Sequence, residues 1–392
     1  MKTTLLSLKA FFTICLLCLV GGVSASAQNT YTKVTSEDQL VAGGIYVIVN
    51  EENNVAMSLQ AKNNRKECSI TINNNSFTLA DADIANAETD ETVYELQLGG
   101  ETGKWTFYDK INKGYLYAPG TTKKDGKPYN YLKTQKTVDA KSQAKISFDT
   151  EGNSSIVFSA PNANTLRHNS NSPLFSCYTS GQDPIQLYRK VGSFPLTTAQ
   201  YGTYYTEDAF VMPEGLTGYT ITSEDGKTLK FNNTYVAGAV VPAKTALLLK
   251  ATEKLTADKV YTYTIVNSTE VAPTDNLLHG SVAEATTNVE GATAYYKLAN
   301  PTEGPGFYYG AENGGAFKNG AHKAYLAVTT KAMSQMRGFS FDSMTTGINH
   351  VVANAEQAKS AVIYDLNGRR VNSLNAAAKG VYIVNGKKVI VK

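Results

Sequence analysis

Side chains able to carry acid–base, nucleophilic or metal chemistry are few and scattered in this sequence. The histidines are His168, His279, His322 and His350, one or two per region. No pair has the H-E-x-x-H or H-x₃₋₅-H spacing that turns two imidazoles toward one metal, and there is no C-x-x-C. No G-x-S-x-G elbow is present, and the members of a Ser/His/Asp set would meet only in space. Asp81, Asp83, Asn86, Glu88 and Asp90 offer hard oxygens that suit calcium. They lack the sixth-position Gly and closing Glu of an EF-hand, so they read better as a solvated acidic loop. The glycine-rich run Gly304–Gly320 is followed by no helix, which a phosphate cradle requires. It reads as hairpin turns around Phe307-Tyr308-Tyr309. No catalytic residue, metal or cofactor is therefore assigned.

Aromatic residues are the better candidates for contact chemistry. The chain has 24 Tyr against 14 Phe and one Trp. Trp105, Phe107, Tyr108, Tyr115, Tyr117, Tyr129 and Tyr131 crowd one short stretch, among Lys110, Lys113, Lys123, Lys124 and Lys127. Sugar rings stack on aromatic faces while their hydroxyls find nearby polar groups, and exposed aromatics also anchor protein interfaces. Because alternate residues of a strand face opposite ways, the competing reading places these rings in a core. Trp105, Tyr108, Tyr115, Tyr117, Tyr129 and Tyr131 are the candidate ligand-binding set.

The elements that hold these rings follow from length and pattern. At 392 residues, 42% of them hydrophobic, the chain has room for two or three domains with packed cores. Residues 1–27 place Lys2 and Lys9 before the apolar run Ala10–Val20 and end in Ala25-Ser26-Ala27. That is the layout of a secretory leader with an A-x-A cleavage site, and the run is too short to span a bilayer. Cleavage leaves 35 basic and 34 acidic residues, a balance that favours neither nucleic acid nor an anionic membrane as partner. Only Cys68 and Cys177 remain. An oxidising compartment permits a disulfide between them, and two buried free thiols fit equally well.

Beyond the leader nearly every interpretable segment alternates at period two or is a short β-branched run between turn residues. Gly44–Asn50, Val93–Leu98, Lys104–Tyr108, Ile146–Phe148, Ser155–Ser159 and Pro184–Tyr188 are expected strands of a first module, residues 28–191. Leu79–Thr89 is the most helix-like stretch, one short turn or a loop. A second module, residues 192–346, is expected as a sandwich, with Asp225-Gly226 marking a hairpin. Residues 347–392 hold a polar linker and two Asn-Gly hairpins, and so a small sheet.

That last segment, VIYDLNGRRV…KGVYIVNGKKVIVK, resembles the C-terminal sorting domain of proteins handled by the type IX secretion pathway of Bacteroidetes. The matching residues are Tyr364, Asp365, Gly368, Arg369 and Val371, then Gly380, Tyr382, Ile383, Asn385, Gly386, Lys387 and Lys388. The resemblance implies passage through the periplasm and recognition of the tail by secretion machinery. Release or attachment at the outer cell surface would follow. The first two modules resemble modules common in secreted Bacteroidetes proteins, the first through GYLYAP and LRHNSNSPLFSCYTSGQDPIQLYRK, the second through FVMPEGLTGYTIT and VVPAKTALLLK. Asp342-Ser343-Met344 matches the short O-glycosylation acceptor pattern of that phylum, with Ser343 as acceptor.

The expectation is an all-β protein of two β-sandwich or β-barrel modules, the first trefoil-like, plus a small β sorting tail. Its expected function is non-catalytic binding or adhesion outside the cell, to glycans or glycoproteins, with no transmembrane segment once the leader is cut. The alternatives are an extracellular hydrolase with dispersed residues and a structural cell-envelope protein.

Overall fold

The structure, a computed structural model, describes residues 28–223, 228–302, 304–341, 345–346, 363–365, 370–371, 380–384 and 387–391. The leader, the Asp225-Gly226 turn, Ser343, the linker, and the sorting-motif residues Gly368, Arg369, Asn385 and Gly386 lie outside the described residues. What is described is almost entirely antiparallel β-structure. None of its helices is long and apolar enough to cross a membrane.

Fourteen strands build the first module: β1 (Gln28–Lys33), β2 (Ile45–Asn50), β3 (Val55–Gln60), β4 (Arg65–Ser69), β5 (Ser76–Ala80), β6 (Leu96–Gly99) and β7 (Thr106–Asp109), followed by β8 (Gly114–Tyr117), β9 (Lys133–Gln135), β10 (Ala144–Phe148), β11 (Ser154–Phe158), β12 (Thr165–Asn169), β13 (Leu174–Tyr178) and β14 (Gln186–Leu196). Six of them close a barrel. β2 pairs with β6, and β6 with β7. The bridge Trp105↔Ala144 joins β7 to β10, which pairs with β11. The bridge Ser154↔Ile185 leads to β14, which pairs with β2 and completes the circle. Among the other pairs, β3–β4, β8–β9 and β12–β13 are three hairpins, one per repeat. A six-stranded barrel with three hairpins is a β-trefoil.

Period-two alternation supplies its core. Each barrel strand or its flank sends two alternate residues inward: Tyr46 and Ile48, Leu96 and Leu98, Trp105 and Phe107, Ala144 and Ile146, Ile156 and Phe158, Ile185 and Leu187. Side chains thus fill a small barrel in layers. β2 is buried along its whole length because its other face, Val47 and Val49, packs on Tyr31, Phe77, Leu79 and Tyr188 under β1 and β5. The acidic stretch after β5 is a single 3₁₀ turn, Asp81–Asp83.

β14 runs through the expected change at 191–192. Its first half pairs with β1 and β2, and Val191–Leu196 pair with the strand Lys259–Val266. From there the second module stacks three sheets. The middle one, Tyr201–Tyr204, Leu247–Ala251, Leu216–Ser223 and Leu229–Tyr235, is buried on both faces. Leu247 and Leu249 face a core with Phe194, Phe210, Tyr261 and Tyr263. Leu248 faces another with Tyr296, Phe307, Leu326 and Phe339 from the outer sheet. One run of three leucines therefore serves two interfaces. In the tail, Ile363–Asp365, Arg370–Val371, Gly380–Val384 and Lys387–Val391 pair, among the described residues, only with one another.

Candidate functional site

The aromatic stretch falls on the second trefoil repeat, and strand phase divides it. Trp105 is 6% exposed and Phe107 is fully buried, so both rings belong to the barrel core. This corrects the expectation that Trp105 contacts a ligand. Tyr108, Tyr115, Tyr117, Tyr129 and Tyr131 are only half-buried. The registers Gln97↔Tyr108, Tyr108↔Tyr115 and Tyr115↔Gln135 set four side chains in one row across β6, β7, β8 and β9. Tyr108 and Tyr115 tilt against each other with centroids 5.1 Å apart. They line an open cleft of about 450 Å³ together with Gln97, Lys104, Thr106 and Gln143, and Gly99 and Gly100 leave its wall free of side chains.

In the same repeat, Tyr129 and Tyr131 stack at 4.8 Å with planes 19° apart. Lys123 Nζ lies 5.7 Å from the Tyr129 ring and Lys133 Nζ 5.8 Å from the Tyr131 ring, within cation–π range. Lys133 also pairs in register with Tyr117. The sequence singled out the tyrosines but not Gln97, Thr106 or Gln143. Gln97 lies on β6, Thr106 on β7 and Gln143 just before β10, and they share no local motif.

A second cleft, of about 240 Å³, lies where the trefoil meets the next module and is lined by Glu95, Glu207, Asp208, Lys110 and Lys190 among others. Glu95 accepts a 2.6 Å hydrogen bond from Tyr31 Oη and pairs with Lys190 at 2.9 Å. Burial pushes the Asp208 carboxyl above its ordinary range; nearby Lys190 opposes that and Glu95 and Glu207 add to it.

The remaining candidates serve the fold. The His168 imidazole is 1% exposed, packs on Phe175 with centroids 5.0 Å apart, and sits between Glu67 (2.5 Å from Nε2) and Asp183 (3.4 Å from Nδ1). Cys68 and Cys177 are free, which removes the disulfide. They sit in different clusters, Cys177 in the barrel core and Cys68 against the β1/β5 layer. Burial pushes the Cys68 thiol up to about 11 and Cys177 higher still, opposite to the shift a nucleophile needs. Of the acidic cluster, Asp90 caps the amides of Asn86 and Ala87, and Asp81 accepts from Asn29. Among the described residues no three His, Cys, Asp or Glu side chains gather as metal ligands do. Tyr364, Asp365, Gly380, Tyr382, Lys387 and Lys388 all lie in strands of the tail sheet.

No family model matches the chain, and no curated protein matches it. Among solved structures, a GH43 β-1,3-galactosidase aligns at 11% identity and a TM-score of 0.28, over 40% of this chain and 29% of that one. A mosquitocidal holotoxin aligns at 7% identity and a TM-score of 0.26, over 74% of this chain and 45% of that one. The chain spans less than half the length of either.

Proposed function

We propose that this chain is a non-catalytic binding protein that works outside the cell and holds a glycan or glycoprotein on the outward tyrosines of its first module. The observation that carries this reading is the row Gln97, Tyr108, Tyr115 and Gln135 beside an open cleft. Ring faces for apolar contact alternate there with amides and a hydroxyl for hydrogen bonding, the mixture small-ligand sites use. A leader at residues 1–27 and a sorting-like tail at 347–392 support delivery through the periplasm, with the tail as the part met by the secretion machinery.

The test is binding to immobilised glycans by the folded protein, compared with Tyr108→Ala and Tyr115→Ala. Each truncation leaves the barrel core intact and is expected to weaken binding about tenfold, the effect of removing one well-packed aromatic contact. Trp105→Ala is the wrong probe, because it opens a core cavity. A folded protein that binds no glycan, or tyrosine variants that bind as well as the parent, would reject the reading.

A second reading, hydrolysis, draws on the three carboxylates of the junction cleft and the raised Asp208 carboxyl, which suits a proton donor. Cleavage of any glycan by the parent but not by Asp208→Asn would move the function to that cleft.

A further inference from the structure

Charge is distributed very unevenly along this chain. Residues 104–145 contain ten lysines and three aspartates, a net charge of +7, whereas the whole chain carries only +3. The remainder is therefore net acidic. The stretch is the second trefoil repeat, β7 to β10, with its connecting loops. One of its aspartates, Asp109, is fully buried against Arg65 and adds no negative field at the surface. None of the ten lysines lies within ion-pair distance of a carboxylate among the described residues. Nine of them belong to exposed residues, and the tenth, Lys133, is half-buried.

Uncompensated lysines held this close together repel one another. In physiological salt a charge acts over about 8 Å, so neighbouring fields overlap above the surface that carries them. Three of these lysines stand at the outward tyrosines. Lys104 lines the same cleft as Tyr108 and Tyr115. Lys123 and Lys133 bracket the Tyr129–Tyr131 stack. Ring faces, amides and cationic groups thus occur together on the second repeat. A ligand that satisfies all three has sugar rings, free hydroxyls and a negative charge on the same units.

We infer that the occupant of this face is an acidic polysaccharide, with carboxylates or sulfates on its sugar rings. The inference rests on the glycan-binding reading and specifies its ligand class. The rings lie on the tyrosines, the hydroxyls meet Gln97, Thr106 and Gln143, and the anionic groups meet Lys104, Lys123 and Lys133.

The test measures binding of the full chain to polygalacturonate, chondroitin sulfate, dextran and a single-stranded oligonucleotide, at low salt and at half-molar salt. Either or both of the acidic polysaccharides are expected to bind, and dextran at least tenfold more weakly. Raising the salt is expected to cost tenfold or more. Lys104→Gln with Lys133→Gln should lower acidic-polysaccharide affinity about tenfold without changing the thermal unfolding midpoint, and Tyr108→Ala should lower it independently. Dextran binding as tight as either acidic polymer overturns this inference and leaves the glycan reading standing. Binding to no polysaccharide overturns both. Tighter binding of the oligonucleotide than of any polysaccharide, or lysine dependence with no tyrosine dependence, marks a nonspecific polyanion surface and overturns the inference.

Discussion

Arg65 and Asp109 are both fully shielded from water and meet at 2.5 Å inside the trefoil. Arg65 Nη2 also donates to Thr134 Oγ1 at 2.7 Å, and its guanidinium lies 5.6 Å from the Tyr94 ring centroid. Asp109 accepts from the amides of Ile111 and Asn112 and from the Asn112 side chain, which fixes the turn between β7 and β8. That turn sets the phase of Tyr108 and Tyr115. The charge pair joins the hairpin of the first repeat to the tyrosine face of the second. Removing one partner leaves the other charge buried alone, so Arg65→Leu is expected to cost about 3–5 kcal/mol of stability. Denaturant unfolding would show it, and a loss below about 1 kcal/mol would contradict the buried pair.

Tyr46 makes a pH prediction of the same kind. Burial, against the smaller influences of its bond with Val41 and of nearby Arg189, pushes its hydroxyl up to about 12 from 10. A group whose folded pKa is raised stabilises the fold fully below the unfolded pKa. That contribution is lost as pH climbs from about 10 to about 12. Tyr31, Tyr188 and Tyr263 shift the same way, mainly through burial. Alkaline absorbance titration should therefore show part of the tyrosine ionising only together with unfolding in that window. All tyrosines titrating freely near pH 10 in a folded protein would contradict it.

Among the elements, β14 carries the connection between modules. Gly192 stands opposite Tyr263 in its register. A Cβ at Gly192 would fall 2.1 Å from the Tyr263 ring. Tyr263 cannot swing aside, because its hydroxyl is bonded to that of Tyr204 and its ring packs on Phe210 at 4.5 Å. Gly192→Ala is thus expected to destabilise by about 1–3 kcal/mol through overpacking, read as a lower midpoint in thermal unfolding. An unchanged midpoint would mean that this strand tolerates a shift.

How far these elements were legible in the sequence varies with the physical reason. Turn-punctuated alternation gave the all-β class, and GIYVIVN marked β2. The trefoil was only loosely visible, because its repeats share spacing rather than residue types; the inward pairs of their first strands are Tyr46 and Ile48, Trp105 and Phe107, and Ile156 and Phe158. The run from Tyr201 to Met212 is split into Tyr201–Tyr204 and Ala209–Val211, which belong to different sheets. At the candidate site the aromatic crowding was plain but its direction was not. Trp105 and Tyr108 are three positions apart and must face opposite ways, and a one-residue change of phase would exchange core for surface. The Asp109–Asn112 turn is the local signal that fixes that phase.

For the whole molecule, strand pairing separates the tail from what precedes it. Thr345–Thr346 still belongs to the second module, where it pairs in parallel with Lys230 and Phe231. The four strands described between Ile363 and Val391 pair, among the described residues, only among themselves. A chain ending at Thr346 therefore keeps the described ladders of both modules and loses only the tail sheet. If the tail is an address and not part of the folded body, such a chain should unfold at the same temperature as the parent, because hydrogen-bonded sheets and their cores are the units that melt together. Its destination should change. The parent is expected outside the cell or on its surface, and the truncated chain in the periplasm, still cleaved at the leader. Fractionation of producing cells with antibody to the first module measures this directly. Equal delivery of both forms would strip the tail of its sorting role, and a lowered melting temperature would make it a structural part of the second module instead.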